Sequence, residues 1–136
     1  MGLVVPDALE VEILTEKLTP ALTMRLYGND VTPSGSSSTT SFVEISGGGY
    51  AAKPLTFANW VISAGNPSVA VYNATQKWTF TGAIDSPGTI YGYYVTRDSD
   101  GKLMWAERFP NAVVPFSPQN GSVIQVLPRF SATSQF

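Results

Sequence analysis

Beyond Pro20 the chain consists of short runs in which apolar and polar residues alternate, and turn residues separate each run from the next. Alternation places every second side chain on one face of an extended strand, so each run predicts a strand with one buried face. About nine or ten such runs, with a turn every ~8–12 residues, indicate an all-β sandwich or small barrel. The predicted strands span 22–27, 41–45, 50–57, 60–62, 69–72, 76–81, 89–97, 102–109 and 123–127.

The only helical pattern lies ahead of Pro20. Four apolar residues recur there at three-to-four-residue spacing: Leu9, Ile13, Leu14 and Leu18. This spacing predicts an α-helix over 7–18, with Asp7 as its N-terminal cap and the four apolar residues as one buried stripe. Glu10 and the other acids of the segment are expected on the remaining faces, near the positive end of the helix dipole. The chain therefore divides into an N-terminal segment, 1–20, and a single β-domain, 21–136.

Composition excludes several kinds of chemistry. The 136 residues include no histidine and no cysteine, so imidazole bases, thiol nucleophiles, the usual zinc ligands and disulfides are all missing. Eight basic and ten acidic residues give a net charge of −2 without any basic run, so we expect no nucleic-acid partner. No apolar stretch is long enough to span a membrane. We expect a protein without metal or cofactor that is made in the cytoplasm.

The remaining chemical candidates are weak. Asp98-x-Asp100-Gly101 resembles the start of a calcium loop, but the further ligands and the closing glutamate do not follow at the required spacing. We therefore interpret it as a hairpin turn. Asp85 and Glu107 are the isolated acids of the strand-rich sequence, and a glycosidase needs two carboxyl groups at a set separation. Because Glu107 lies beside a basic residue on a strand, a cross-strand ion pair is favoured, and no catalytic residue is predicted.

Two groups of residues are candidates for contact with a partner. Alternation over 89–95 places Tyr91 and Tyr93 on one face, where their rings suit core packing, a subunit interface or a sugar-binding platform. The apolar tip Leu3-Val4-Val5 stands ahead of a proline, and no strand pattern includes it. An apolar chain end is unfavourable in water, so we expect Leu3, Val4 and Val5 to pair with a neighbouring subunit or a larger assembly.

Segments spread over nearly the whole chain carry a resemblance to a known family. They are Trp60 together with LVVPD (3–7), LTMRLYGNDVTP (22–33), FVE (42–44), GYAA (49–52), WTF (78–80), IYGYYV (90–95) and LMWAERF (103–109). In their order the chain resembles small β-rich virion proteins of tailed bacteriophages, in particular capsid cement or decoration proteins.

The resemblance implies a jelly-roll-like antiparallel β-sandwich with one short N-terminal helix and no catalytic site. It implies a protein that binds the major capsid protein on the outer surface of the virion head and stabilises the head. It also implies a homo-oligomer, most often a trimer. The alternative is a receptor- or glycan-binding module of a tail or fibre. A small glycan hydrolase using Asp85 and Glu107 is a third, less favoured interpretation.

Overall fold

The structure, a computed structural model, describes residues 5–65 and 67–132. This part of the chain contains one α-helix, α1 (Asp7–Leu18), and two 3₁₀ turns at Thr39–Ser41 and Phe57–Asn59. Its nine β-strands are β1 (Leu22–Tyr27), β2 (Lys53–Leu55), β3 (Trp60–Ser63), β4 (Ser68–Tyr72), β5 (Gln76–Thr79), β6 (Gly92–Arg97), β7 (Leu103–Arg108), β8 (Val123–Val126) and β9 (Arg129–Ala132).

The strands pair antiparallel in three sheets. The largest sheet has the order β2-β1-β6-β7, a second has the order β3-β4-β9, and β5 pairs with β8 in the third. β6 is a central strand, and 92–96 is buried without interruption because both faces of its sheet are covered. The edge strand β2 is only three residues long and contains Pro54, which has no N–H to donate.

Side chains from all three sheets and from α1 meet in one hydrophobic core. Its buried members on the helix and strands are Leu18, Leu22, Met24, Leu26, Leu55, Trp60, Ala70, Tyr72, Trp78, Tyr93, Val95, Ile124 and Val126. On β1, for example, alternate residues point into this core, as the period-two pattern predicts. The chain is therefore mostly β, with antiparallel sheets and one short helix, which is consistent with a β-sandwich.

A second, aromatic cluster covers the opposite face of the four-stranded sheet. Phe42, from the long connection between β1 and β2, stacks on Tyr94 with ring centroids 5.1 Å apart and lies 4.8 Å from the ring of Tyr27. Burial raises the pKa of both tyrosines to about 12. The connection is thus held over the sheet by three packed rings, which explains why β6 has no exposed face.

The predicted helix over 7–18 is confirmed, but its start differs in detail. Pro6 is the residue at the N-terminal cap, and its carbonyl oxygen accepts bonds from the N–H groups of Leu9 and Glu10. Asp7 is the first helical residue and makes no capping hydrogen bond, so the predicted Asp7 cap is wrong. Proline suits this place because its fixed φ leads into the helix.

Most predicted strands are confirmed, but one is wrong and one observed strand was not predicted. The predicted strand over 41–45 is wrong: Ser38 and Ser41 cap each other around a 3₁₀ turn, and only Glu44 forms an isolated bridge, to Tyr27. The sequence interpretation also missed β9, because Pro128 interrupts the apolar pattern just before this four-residue strand.

Candidate interaction surfaces

The outer face of α1 carries two exposed apolar side chains. Leu14 and Leu18 are buried, but Leu9 and Ile13 are 44% and 40% exposed. The expectation of a single buried stripe is therefore wrong. At 100° per residue, Leu9 and Ile13 lie far enough around the helix from the other two leucines to face away from the sheets. These two neighbouring apolar side chains, one helical turn apart, form a patch that the described residues cover only about half.

Glu10 is buried against the sheets, although the sequence predicts it on an outer face of the helix. It is 2% exposed, and its Oε1 accepts a hydrogen bond from the hydroxyl of Ser68 at 2.7 Å. Its Oε2 has no hydrogen-bond partner among the described residues. Ser68 opens β4 and is itself fully buried. This polar contact fixes α1 against the β3-β4-β9 sheet, and the expectation that Glu10 lies on an outer face is wrong.

The N-terminal tip is only partly within the described residues. Val5 is half-buried just ahead of α1, whereas Leu3 and Val4 lie outside the described residues. The predicted pairing of Leu3, Val4 and Val5 with a neighbour therefore stays a prediction.

Tyr91 and Tyr93 do not share a face. Tyr93 is 5% exposed in the main core, with its ring 6.2 Å from that of Phe109. Burial, assisted by the nearby Glu107 carboxylate, raises the pKa of Tyr93 to about 12. Tyr91 is half-buried against the aromatic cluster, and the guanidinium of Arg108 lies 5.0 Å from its ring centroid. β6 begins only at Gly92, so the alternation does not extend back to Tyr91, and the shared-face prediction is wrong.

The two isolated acids have separate surroundings. Asp85 accepts a hydrogen bond from the Ser46 hydroxyl at 2.9 Å, beside the Gly47–Gly49 turn. Glu107 is exposed on β7, opposite Tyr93 of β6. The expected ion pair next to Glu107 forms differently: Arg108 pairs with Asp30 at 2.6 Å. Nothing in these surroundings places Asp85 and Glu107 in one site.

The turn between β6 and β7 is held by its own charges. Arg97 pairs with the carboxylate of Asp100 at 2.6 Å, and Asp98 accepts a hydrogen bond from Thr23. The hydrogen bond from Arg97 lowers the pKa of Asp100 to about 2. Among residues 5–65 and 67–132, no three His, Cys, Asp or Glu side chains cluster as metal ligands would.

The strand β7 is the other edge of the four-stranded sheet, and it contains one extra residue. Val95 pairs with Trp105 and Thr96 pairs with Leu103, so Met104 has no partner of its own on β6. Such a bulge puts neighbouring side chains on one face. Met104 and Trp105 both pack against the main core, whereas Leu103 packs against the aromatic cluster. The sequence prediction of the hairpin did not reveal this bulge.

Grooves lie along both faces of β7. On the side of the aromatic cluster, a groove of about 420 Å³ separates the connection at 33–37 from 103–106. On the side of the main core, a groove of about 280 Å³ lies between β7, the end of α1 and Phe130. The apolar side chains of this edge strand are therefore half-buried but still accessible.

No known protein family, curated protein or solved structure matches this chain. Within the described ranges, no helix has the length and apolar character that crossing a membrane requires.

Proposed function

We propose that the chain is a structural protein of a tailed-bacteriophage virion, a cement or decoration protein that binds the major capsid protein on the outer surface of the head and stabilises it. The resemblance of its segments to such proteins supports this proposal, and so does the coarse fold. A jelly-roll arrangement of the strands and a trimeric state remain predictions of the resemblance.

The observation that carries the proposal is the partly exposed apolar pair Leu9 and Ile13 on α1. α1 is fixed to the domain from its opposite face by Leu14, Leu18 and the Glu10 contact, so it presents this pair on a rigid support. Burying a fully exposed Leu or Ile side chain contributes about 1.5–3 kcal/mol, and these two are already about half covered. Each contact would be modest, but many copies on one lattice sum to a large stabilisation.

A groove beside α1 favours a second candidate, a receptor- or glycan-binding module of a tail or fibre. Trp105 and Phe130 lie with their ring centroids 5.1 Å apart, and Lys17 and Lys102 line the same groove. Aromatic rings next to basic side chains suit a sugar that carries an acidic group.

Binding to heads tests the proposal. Heads that lack this protein are mixed with the full chain, with the Leu9→Ser/Ile13→Ser variant, and with a matched Val123→Ser/Leu127→Ser variant, whose side chains are 40% and 51% exposed elsewhere. We expect the helix variant to lose most head binding and the matched variant to bind as the full chain does. A chain lacking residues 1–5 should also fold and bind less. Equal binding by all variants, or only a few copies in purified particles, would contradict the proposal.

A further inference from the structure

Because β7 is an edge strand, some of its backbone N–H and C=O groups point away from the sheet and can bond to another strand. The carbonyl oxygen of Lys102 accepts a hydrogen bond from the N–H of Arg97 on β6. The N–H of Phe109 donates one to the carbonyl oxygen of Tyr91, the residue before β6. Backbone groups alternate in direction along an antiparallel strand, and the extra residue Met104 shifts this alternation by one position. The residues whose N–H and C=O groups point outward are therefore Leu103, Ala106 and Arg108.

This edge is complementary to itself. In an antiparallel pair of two β7 strands, one register places Leu103 of one copy opposite Ala106 of the other. Both residues direct their backbone groups outward, so each such pair exchanges two hydrogen bonds, about four in the whole contact. The same register places Lys102 of each copy opposite Glu107 of the other. Both side chains are exposed and neither has an ion-pair partner among the described residues.

In this register the side chains of opposing residues also lie on the same face of the sheet, and this depends on the bulge. Leu103 and Ala106 both pack against the aromatic cluster, so they lie on the same face of the sheet. Glu107 is paired with Tyr93, which faces the main core. Lys102 lies five positions away, and an odd spacing would put it on the opposite face of a regular strand. The extra residue Met104 restores it to the face of Glu107.

We propose that β7 is a homodimer contact, in which two copies of this chain join their four-stranded sheets edge to edge about a twofold axis. Lys102 and Glu107 form two equivalent ion pairs at the ends, and Met104 and Trp105 of both copies meet at the axis. The inference goes beyond the proposed role on the capsid and does not depend on it. A contact of this kind is isologous, so it gives dimers and is separate from any threefold contact.

Reversing the charge of Lys102 or of Glu107 tests the contact, because both side chains are exposed and their substitution should leave the fold intact. In a Lys102→Glu dimer, glutamates face each other at both ends, and in a Glu107→Lys dimer lysines do. Because each substitution acts twice, we expect each variant to dimerise about tenfold more weakly or worse. An equimolar mixture of the two variants should form heterodimers as strong as the wild-type dimer, since both ends are then oppositely charged. Sedimentation velocity over a concentration series measures the dimerisation of each variant, and labelling one variant in the mixture reveals the heterodimers.

A second variant tests the backbone bonds. Ala106→Pro removes an N–H that points outward, so it should weaken dimerisation while the melting temperature shows that the domain still folds. Lys77→Glu, an exposed charge change on β5, is the matched control and should dimerise as the wild type does. The proposal is wrong if the wild-type chain stays at its monomer mass of 14.6 kDa at high concentration. It is also wrong if an oligomer forms that ignores Lys102→Glu, or if the variant mixture fails to form heterodimers.

Discussion

Among the glycines of the described residues, Gly92 leaves the least room for a side chain. A Cβ at this place would overlap the carbonyl oxygen of Glu107 on β7 and lie 2.7 Å from the ring and hydroxyl of Tyr27 on β1. Tyr27 is fully buried, packs against Phe42, and donates a hydrogen bond from its hydroxyl to the carbonyl of Val31 at 3.1 Å. Neither neighbour can move without loss, so Gly92→Ala should destabilise the protein.

The magnitude follows from three contributions. Forcing one methyl group into a filled space costs about 1–3 kcal/mol. Displacing Tyr27 and weakening its hydrogen bond costs about 1 kcal/mol more. Alanine restricts the unfolded chain and so offsets about 0.5–1 kcal/mol. We expect a net loss of about 1–3.5 kcal/mol, which lowers the melting temperature by about 4–12 °C in a chain of this size.

Urea unfolding followed by tryptophan fluorescence measures the loss, since the chain has three tryptophans. Gly82→Ala is the matched control because no heavy atom lies within 4 Å of a Cβ built there and its φ is not in the left-handed region. We expect the control to keep or slightly raise the free energy of unfolding. If Gly92→Ala proves as stable as Gly82→Ala, the close packing of Tyr27 and β7 around Gly92 is not as described.

Three further predictions concern the helix, the hairpin turn and metal. Leu14→Ala should lower the free energy of unfolding by about 3 kcal/mol, whereas Leu9→Ser, at a side chain that is already about half covered, should lower it by only about 1 kcal/mol; calorimetry separates the two. The Asp100 carboxyl should titrate near pH 2 by NMR and return toward 3.8 in Arg97→Ala. Because its folded pKa is lowered, its contribution to stability is present above pH 3.8 and is lost as the pH falls toward 2. Chelation by EDTA should leave the melting temperature unchanged.

Elements bounded by local signals were predictable from the sequence. Pro6 and Pro20 delimit the helix, and uninterrupted alternation over 22–27 gives β1 at its observed limits. The spacing of α1 places Glu10 between Ile13 and Leu14 on the helix, but its partner was not predictable, because Ser68 lies 58 positions along the chain and nothing local marks the pair. The expectation that Glu10 faces outward followed from its residue type, since a carboxylate on a helix is ordinarily on the solvent side.

For the candidate surfaces too, features with a local sequence signal were predictable, and features set by contacts far along the chain were not. The hairpin that contains β7 was evident from its turn, yet its position at a sheet edge depends on which strands pair far along the chain. The bulge at Met104 has no local signal such as a glycine. The exposure of Leu9 and Ile13 likewise depends on how α1 is rotated on the sheets, which tertiary packing decides.

The proline in β2 limits how far edge-to-edge association can go. The four-stranded sheet ends on one side at β7 and on the other at β2, where Pro54 sits in a strand of three residues. A partner strand added at β2 would find a missing donor and little length to bond. Each copy therefore has only one edge of this sheet, β7, that can pair with another strand. If two copies pair through β7 as proposed, association through this sheet stops at two copies and does not continue into a fibre, even at the high local concentration of a crowded surface.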